Sequence, residues 1–202
     1  MKKIIYAILS ILPSHTVNAM WGIPEEQHNY TIEEIKEHIK NNTLTERMIQ
    51  KMFRSDLEKV KLLCEEGKVL ERKLPFLPLL EVVRADTINA PAIIDYLVLH
   101  QKVDINASTS SLERPEDWKG SIDNETALFV ATSLDMHCIE DLLKYPDLEK
   151  SLKTPAICNG KIGPTPLELA KIFHNDPENK NMRRGKLYGW FIDYMEKHGI
   201  KP

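Results

Sequence analysis

Cysteine is scarce in this sequence: Cys64, Cys138 and Cys158 are the three among 202 residues, and no two stand in a Cys-x-x-Cys spacing. An odd, scattered set supports neither a disulfide framework nor a thiolate metal site. It reads as small buried hydrophobes plus one loop thiol. A Cys64–Cys138 bond stays open for an oxidising compartment, because spacing does not place two sulfurs. Glycine is thin as well. Eight glycines, none clustered, leave no Gly-rich loop to cradle a phosphate. Seven histidines (His15, His28, His38, His100, His137, His174, His198) lack HExxH or any other ligand spacing. His137 and Cys138 are adjacent, but neighbours on a helix point about 100° apart and do not easily share one ion. No GxSxG elbow occurs, and Glu33-Glu34 and Glu65-Glu66 read as solvated helix charges with nothing to desolvate them. No cofactor, metal or catalytic set is therefore expected. Nor is there an excess of positive charge. The formal net charge of −3 offers no basic field for nucleic acid, and Arg183-Arg184 with Lys180 and Lys186 reads as a local solvated patch.

Long hydrophobic runs are absent too. The longest, Ile4 to Leu12, is nine residues, too short to span a bilayer. Its setting is informative. Lys2 and Lys3 precede it, Pro13 ends it, and Val17 and Ala19 stand three and one positions before a cut after Ala19. That order of charge, apolar run and small residues predicts a secretory signal peptide over 1–19. The expected product is exported, periplasmic or secreted, with no membrane span after signal removal. Asn29-Tyr30-Thr31, Asn41-Asn42-Thr43, Asn106-Ala107-Ser108 and Asn124-Glu125-Thr126 are formal glycosylation acceptors, relevant only in a eukaryotic secretory route.

What is plentiful is helical pattern. Thr31 and Glu34 fit a capping box ahead of Ile32, Ile35 and Ile39, which share one face. This predicts an N-terminal loop and capping helix over 20–44. A second helix is expected near Thr45 to Phe53. A third carries Val60, Leu62 and Leu63, with Gly67 as its stop. The stretch Met48 to Gly67 resembles the second part of an ankyrin repeat. Leu79-Leu80-Glu81-Val82-Val83 looks like a degenerate first helix, followed by Ile93, Ile94 and Leu97, and Val103-Asp104-Ile105-Asn106 is similar to the family's usual ending. Thr126-Ala127-Leu128-Phe129-Val130-Ala131 and Thr165-Pro166-Leu167-Glu168-Leu169-Ala170 resemble the family's T-P-L-H-L-A signature, with Phe129 and Glu168 in the histidine position. The chemistry is coherent. Threonine caps the helix, proline at the first position loses no hydrogen bond, and small residues let neighbouring helices approach. One such unit cannot bury its apolar face alone, so units stack.

The resemblance implies an all-α chain, an ankyrin-like helical repeat solenoid with polar loop inserts, of about four repeats over 45–202. Spacing is uneven. Val60 to Ile94 is 34 residues, but Ile94 to Ile139 is 45 and Ile139 to Leu187 is 48. The excess is assigned to inserts at Ala107 to Ile122 and His174 to Arg184. Leu187, Trp190, Phe191, Tyr194 and Met195 make the closing helix aromatic. The family's common role, recognition of another protein by first helices and turn tips, points to Arg84, Asp86, Phe129, Thr132, Glu168 and Lys171 as contacts. Trp118 joins them if its insert folds over that face. The expected molecule is a monomeric binding platform for a protein partner, an exported effector or envelope scaffold. The alternative is an enzyme, or an inhibitor or immunity protein, working through a non-repeat insert.

Overall fold

Side-chain oxygens and prolines decide where this chain turns helical, and the computed structural model displays those starts in succession. It describes residues 29–112, 122–158, 160–179 and 181–201; the leader at 1–19 and Trp118 lie outside the described residues. From Ile32 onward the chain belongs to one compact unit. Helix α1 (Ile32–Lys40) buries Ile35. The Thr45 hydroxyl accepts from the Met48 N–H at 3.3 Å and opens α2 (Glu46–Phe53). Asp56 does the same for α3 (Leu57–Glu65) through the Lys59 N–H at 3.0 Å. Helix α4 (Pro78–Ala85) has no capping side chain at Leu77 and starts on Pro78, whose missing N–H has no partner to lose there. Helix α5 (Ala90–Asp95) runs into a π-helical turn, Tyr96–His100. Thr126 caps α6 (Ala127–Leu134) through the Phe129 N–H at 3.1 Å. Two short helices follow, α7 (Ile139–Leu142) and α8 (Glu149–Lys153). A reciprocal capping box of Thr165 and Glu168, at 3.2 and 2.8 Å, opens α9 (Pro166–Asn175). The last helix, α10 (Arg183–Lys197), ends where Gly199 takes φ +66° and the Ile200 N–H returns to the Met195 carbonyl at 2.8 Å.

The helices pack in pairs: α2 with α3, α4 with α5, α6 with α7, and α9 with α10. First members also touch in sequence order, α2 to α4 to α6 to α9, and second members touch as α3 to α5 to α7. The result is two layers with apolar side chains between them. Phe53, Leu63, Ile93, Ile94, Leu97, Leu128, Phe129, Ile139 and Phe191 are fully buried. Each such residue contributes roughly 1.5–3 kcal/mol by leaving water. Left-handed backbone marks equivalent corners. Asp86 (φ +44°) and Asp135 (φ +56°) turn the chain from first to second helix, while Lys68 (φ +47°) and Lys102 (φ +58°) follow second helices.

Most of the chain is helical, as expected. Three two-residue strands add a minimal antiparallel ribbon: β1 (Ile122–Asp123), β2 (Ile157–Cys158) and β3 (Lys161–Ile162), paired Ile122 to Cys158 and Ile157 to Ile162. Gly67 follows the last turn of α3, its N–H bonding the Leu62 carbonyl at 3.1 Å, and the left-handed backbone falls one residue on, at Lys68. The glycine is needed for closeness, since a Cβ there would meet the Leu63 carbonyl oxygen at 2.8 Å. One expectation needs correction: the extra length of the last unit is not confined to His174–Arg184. Helix α8 and the β2–β3 hairpin lie before α9, with Leu148 and Leu152 buried and α8 packed on α6 and α9. Asn106 ties this addition down: its side-chain carbonyl accepts from Ser151 N–H at 2.9 Å and from Ser151 Oγ at 2.7 Å. Cys64 and Cys138 are both buried and unbonded. No helix among the described residues is long and apolar enough to cross a membrane.

Candidate interaction surfaces

An ion-pair chain runs along the first-helix layer. Arg54 closes α2, and its guanidinium donates twice to Glu81 Oε2, once through Nε at 2.8 Å and once through Nη2. Glu81 is 1% exposed, an acidic residue inside the otherwise apolar start of α4. Arg84, one turn on, donates to Glu81 Oε1 at 3.2 Å and to Glu125 Oε2 at 2.7 Å. Glu125 is fixed by its backbone, which exchanges hydrogen bonds with Thr109: the Thr109 N–H donates to the Glu125 carbonyl, and the Glu125 N–H to Thr109 Oγ1, both at 3.0 Å. Two arginines, each with 36% of its side chain exposed, are thereby locked over α2, α4 and the segment entering α6.

The other residues picked from sequence fall into different environments. Asp86 sits on the turn after α4, but its carboxylate is engaged. It accepts from the His137 N–H at 2.9 Å, from His137 Nδ1 at 3.0 Å and from the Cys138 N–H at 3.4 Å, so it joins two turns. Burial pushes its pKa up, and the hydrogen bonds from the His137 ring and the His137 and Cys138 backbone outweigh that push. The carboxyl titrates below the ordinary aspartate value. Arg183 extends the seam, donating to the Asp135 carbonyl at 3.1 Å and the His137 carbonyl at 2.9 Å. Phe129 and Thr132 must be corrected from contact residues to core. Phe129 is 2% and Thr132 0% exposed, and the Thr132 hydroxyl donates to the Leu128 carbonyl at 2.7 Å. The reason is packing on all sides: α6 meets α4, α7, α8 and α9, and every residue from Ala127 to Ser133 is buried. Glu168 and Lys171 are exposed on α9, with Glu168 committed to its cap. Arg84 and Lys171 are thus separated by a closed α6, and the named residues do not form one patch.

The second-helix layer carries a feature that sequence reading missed. A groove of about 360 Å³ opens between α3 and α5, with Leu57 and Ala92 among its lining and Lys61, Glu65, Asp95, Tyr96 and His100 around them. The Tyr96 hydroxyl donates to Glu65 Oε1 at 3.0 Å and accepts from Gln101 Nε2 at 2.8 Å. The Tyr145 hydroxyl, coming from beyond α7, donates to Asp95 Oδ1. Burial, then the bond to a carboxylate, raises both phenols above the ordinary tyrosine range. His100 stacks on Tyr96 with centroids 5.9 Å apart, and the Lys61 ammonium lies 5.7 Å from the Tyr96 centroid. The spacing of Tyr96 and His100, four residues apart on one helical face, was the only hint in the sequence. A second groove, about 500 Å³, lies near the C-terminus beside Lys150, Lys153 and His198.

No group of three or more histidine, cysteine or acidic side chains suited to a metal ion occurs among the described residues. Compared with known proteins, the chain finds no match among family models, curated sequences or solved structures.

Proposed function

We propose that this chain is an exported, ankyrin-like repeat platform that binds another protein and carries out no catalysis. One observation supports the reading above all. Four helix pairs stack with first members touching first members and second touching second, joined at corners where Asp86 and Asp135 take the same left-handed backbone. Stacked pairs of this kind bury a continuous core and leave long side surfaces for recognition. The capped starts at Thr126 and Thr165, which carry the family resemblance, fall at first helices of successive pairs.

Within this reading the partner meets the α2–α4 part of the first-helix layer, where Arg47 is exposed and Arg54 and Arg84 are held in place. The partner would carry acidic groups. An inhibitor or immunity role would use the same surface. The test is affinity capture with the full chain from the envelope and medium of the exporting cell, repeated with Arg47→Glu. Specific capture that the substitution abolishes, with the melting temperature unchanged, is expected. Equal capture by the variant, or none by either, overturns the assignment. Mass spectrometry of the exported product should find it starting at Met20; an intact Met1 would overturn export through a cleaved leader.

A further inference from the structure

Exposed carboxylates ordinarily swing through several rotamers, and a ligand must freeze them before it can use them. The two on the α3/α5 groove are frozen already. A tyrosine hydroxyl occupies one oxygen of each: Tyr96 holds Glu65 at Oε1, and Tyr145 holds Asp95 at Oδ1. Their second oxygens carry no hydrogen bond among the described residues. The Tyr96 ring lines the same groove, with His100 and apolar Leu57 and Ala92. We infer that the α3/α5 groove is a second docking site, which takes an arginine side chain of a polypeptide partner against the Glu65 and Asp95 carboxylates and the Tyr96 ring.

Three facts select that occupant. A planar guanidinium offers several donors in a fixed fork and stacks on aromatic rings, which suits two pinned acceptors beside a phenol. The ring already draws a cation, since the chain's own Lys61 ammonium rests over it on a flexible, exposed stem. The surrounding charge has the right sign. Along α3, α5, α7 and the turn after it, Glu58, Glu65, Asp95, Glu140 and Asp141 outnumber Lys59, Lys61 and Lys144, and Lys59 and Lys144 are paired to Asp56 and Asp141. The groove volume suits one long side chain with its adjoining backbone, near the lower end of ligand-site sizes. This surface lies on the second-helix layer, so it is independent of the first-helix assignment, and either can fail alone.

The test is an isotope-edited NMR titration of the full chain with a short Gly/Ser peptide carrying one arginine, beside the same peptide with citrulline. Citrulline keeps the shape and removes the charge. Shifts confined to residues 57–65 and 92–100, seen only with arginine, are expected. Glu65→Gln with Asp95→Asn should weaken binding by about tenfold or more, the loss of charge-assisted bonds. Both amides can still accept from their tyrosines, so melting should be unchanged. Lys61→Gln should tighten binding several-fold by removing the competing cation. The Lys61 ammonium touches the Tyr96 ring without a hydrogen bond to hold the fold, so this variant decides the matter if the double variant unfolds. Equal binding of the citrulline peptide, shifts indifferent to all three substitutions, or free arginine binding as tightly as the peptide would each overturn the proposal.

Discussion

Removing Arg54 should cost more than removing the buried acid it serves. Glu81 is 1% exposed and takes two hydrogen bonds from Arg54 and one from Arg84. In Arg54→Ala the carboxylate stays inside and keeps a single donor. A charge-assisted bond is worth about 1.5–3 kcal/mol, and orphaning a buried charge costs about 3–5 kcal/mol. Arg54 has 36% of its side chain in water, and Arg84 remains in place, so the expected loss is smaller, about 2 kcal/mol. Glu81→Leu is the contrast. It removes the buried charge, frees Arg54, which already reaches solvent, leaves Arg84 paired to Glu125, and places an apolar side chain among Leu79, Leu80, Val82 and Val83, all buried. Buried ion pairs replaced by apolar residues of similar volume come out near neutral or more stable, so the net change should stay within about 1 kcal/mol of zero. With Leu at position 81, Arg54→Ala should cost almost nothing. Urea denaturation of the four proteins in this cycle gives the coupling energy directly, provided the slopes agree. A loss under about 0.5 kcal/mol for Arg54→Ala, together with more than about 2 kcal/mol for Glu81→Leu, would refute the reasoning.

The Asp86 seam should appear in the acid limb of stability. Its carboxyl titrates below the ordinary value of 3.8 when folded, so its contribution is complete above that pH and fades as pH falls through the lower folded value. Asp86→Asn should therefore lose stability at neutral pH and show a flatter decline below about pH 4; an unchanged acid limb in pH-dependent urea melts argues against the seam. Phe129→Ala should destabilise by about 3–5 kcal/mol, as a core truncation does. A loss below about 1 kcal/mol would return Phe129 to the surface. Burial pushes the Cys64 and Cys138 thiols up to about 12, so neither should react with iodoacetamide at neutral pH until urea unfolds the chain. Peptide mapping that finds either one alkylated in the native state at its unfolded rate would contradict that burial. Gly67→Ala should destabilise by about 1–3 kcal/mol, because its Cβ would press on the Leu63 carbonyl at 2.8 Å; an unchanged urea midpoint would speak against that approach.

Helix positions were legible in the sequence because their signals are local. Thr45, Asp56, Thr126 and Thr165 each cap a helix through a side chain reaching three residues on, a span short enough to scan by eye. Burial of Ile93, Ile94, Leu97 and Ile139 follows from apolar spacing alone. Helix α8 was not legible. Its five residues are polar except Leu152, and it is held by Asn106 some 45 positions earlier, so nothing within a scanning window announces it. The same non-local packing explains Phe129 and Thr132. Helix α6 is enclosed because α8 and α9, which come later in the chain, pack on it as well as α4 and α7.

Both candidate surfaces depend on pairings the sequence hides for a further reason: their key residues look ordinary. Glu81 in the run Leu79-Leu80-Glu81-Val82-Val83 reads as a defect in an apolar face. It becomes a keystone only when Arg54, 27 residues upstream, folds over it. Glu65 and Asp95 read as solvated charges on two helices, and so they would behave if their hydroxyl donors were phenylalanines. Tyr96→Phe and Tyr145→Phe would keep the packing and release the carboxylates, leaving charge in the groove without its order. If the groove works by pre-set geometry, these two changes should weaken arginine-peptide binding about as much as neutralising one carboxylate, with local net charge unaltered. If it works by charge alone, they should do nothing. That comparison separates a shaped site from an acidic patch, a distinction carried by Tyr96 and Tyr145, neither of which is charged at neutral pH.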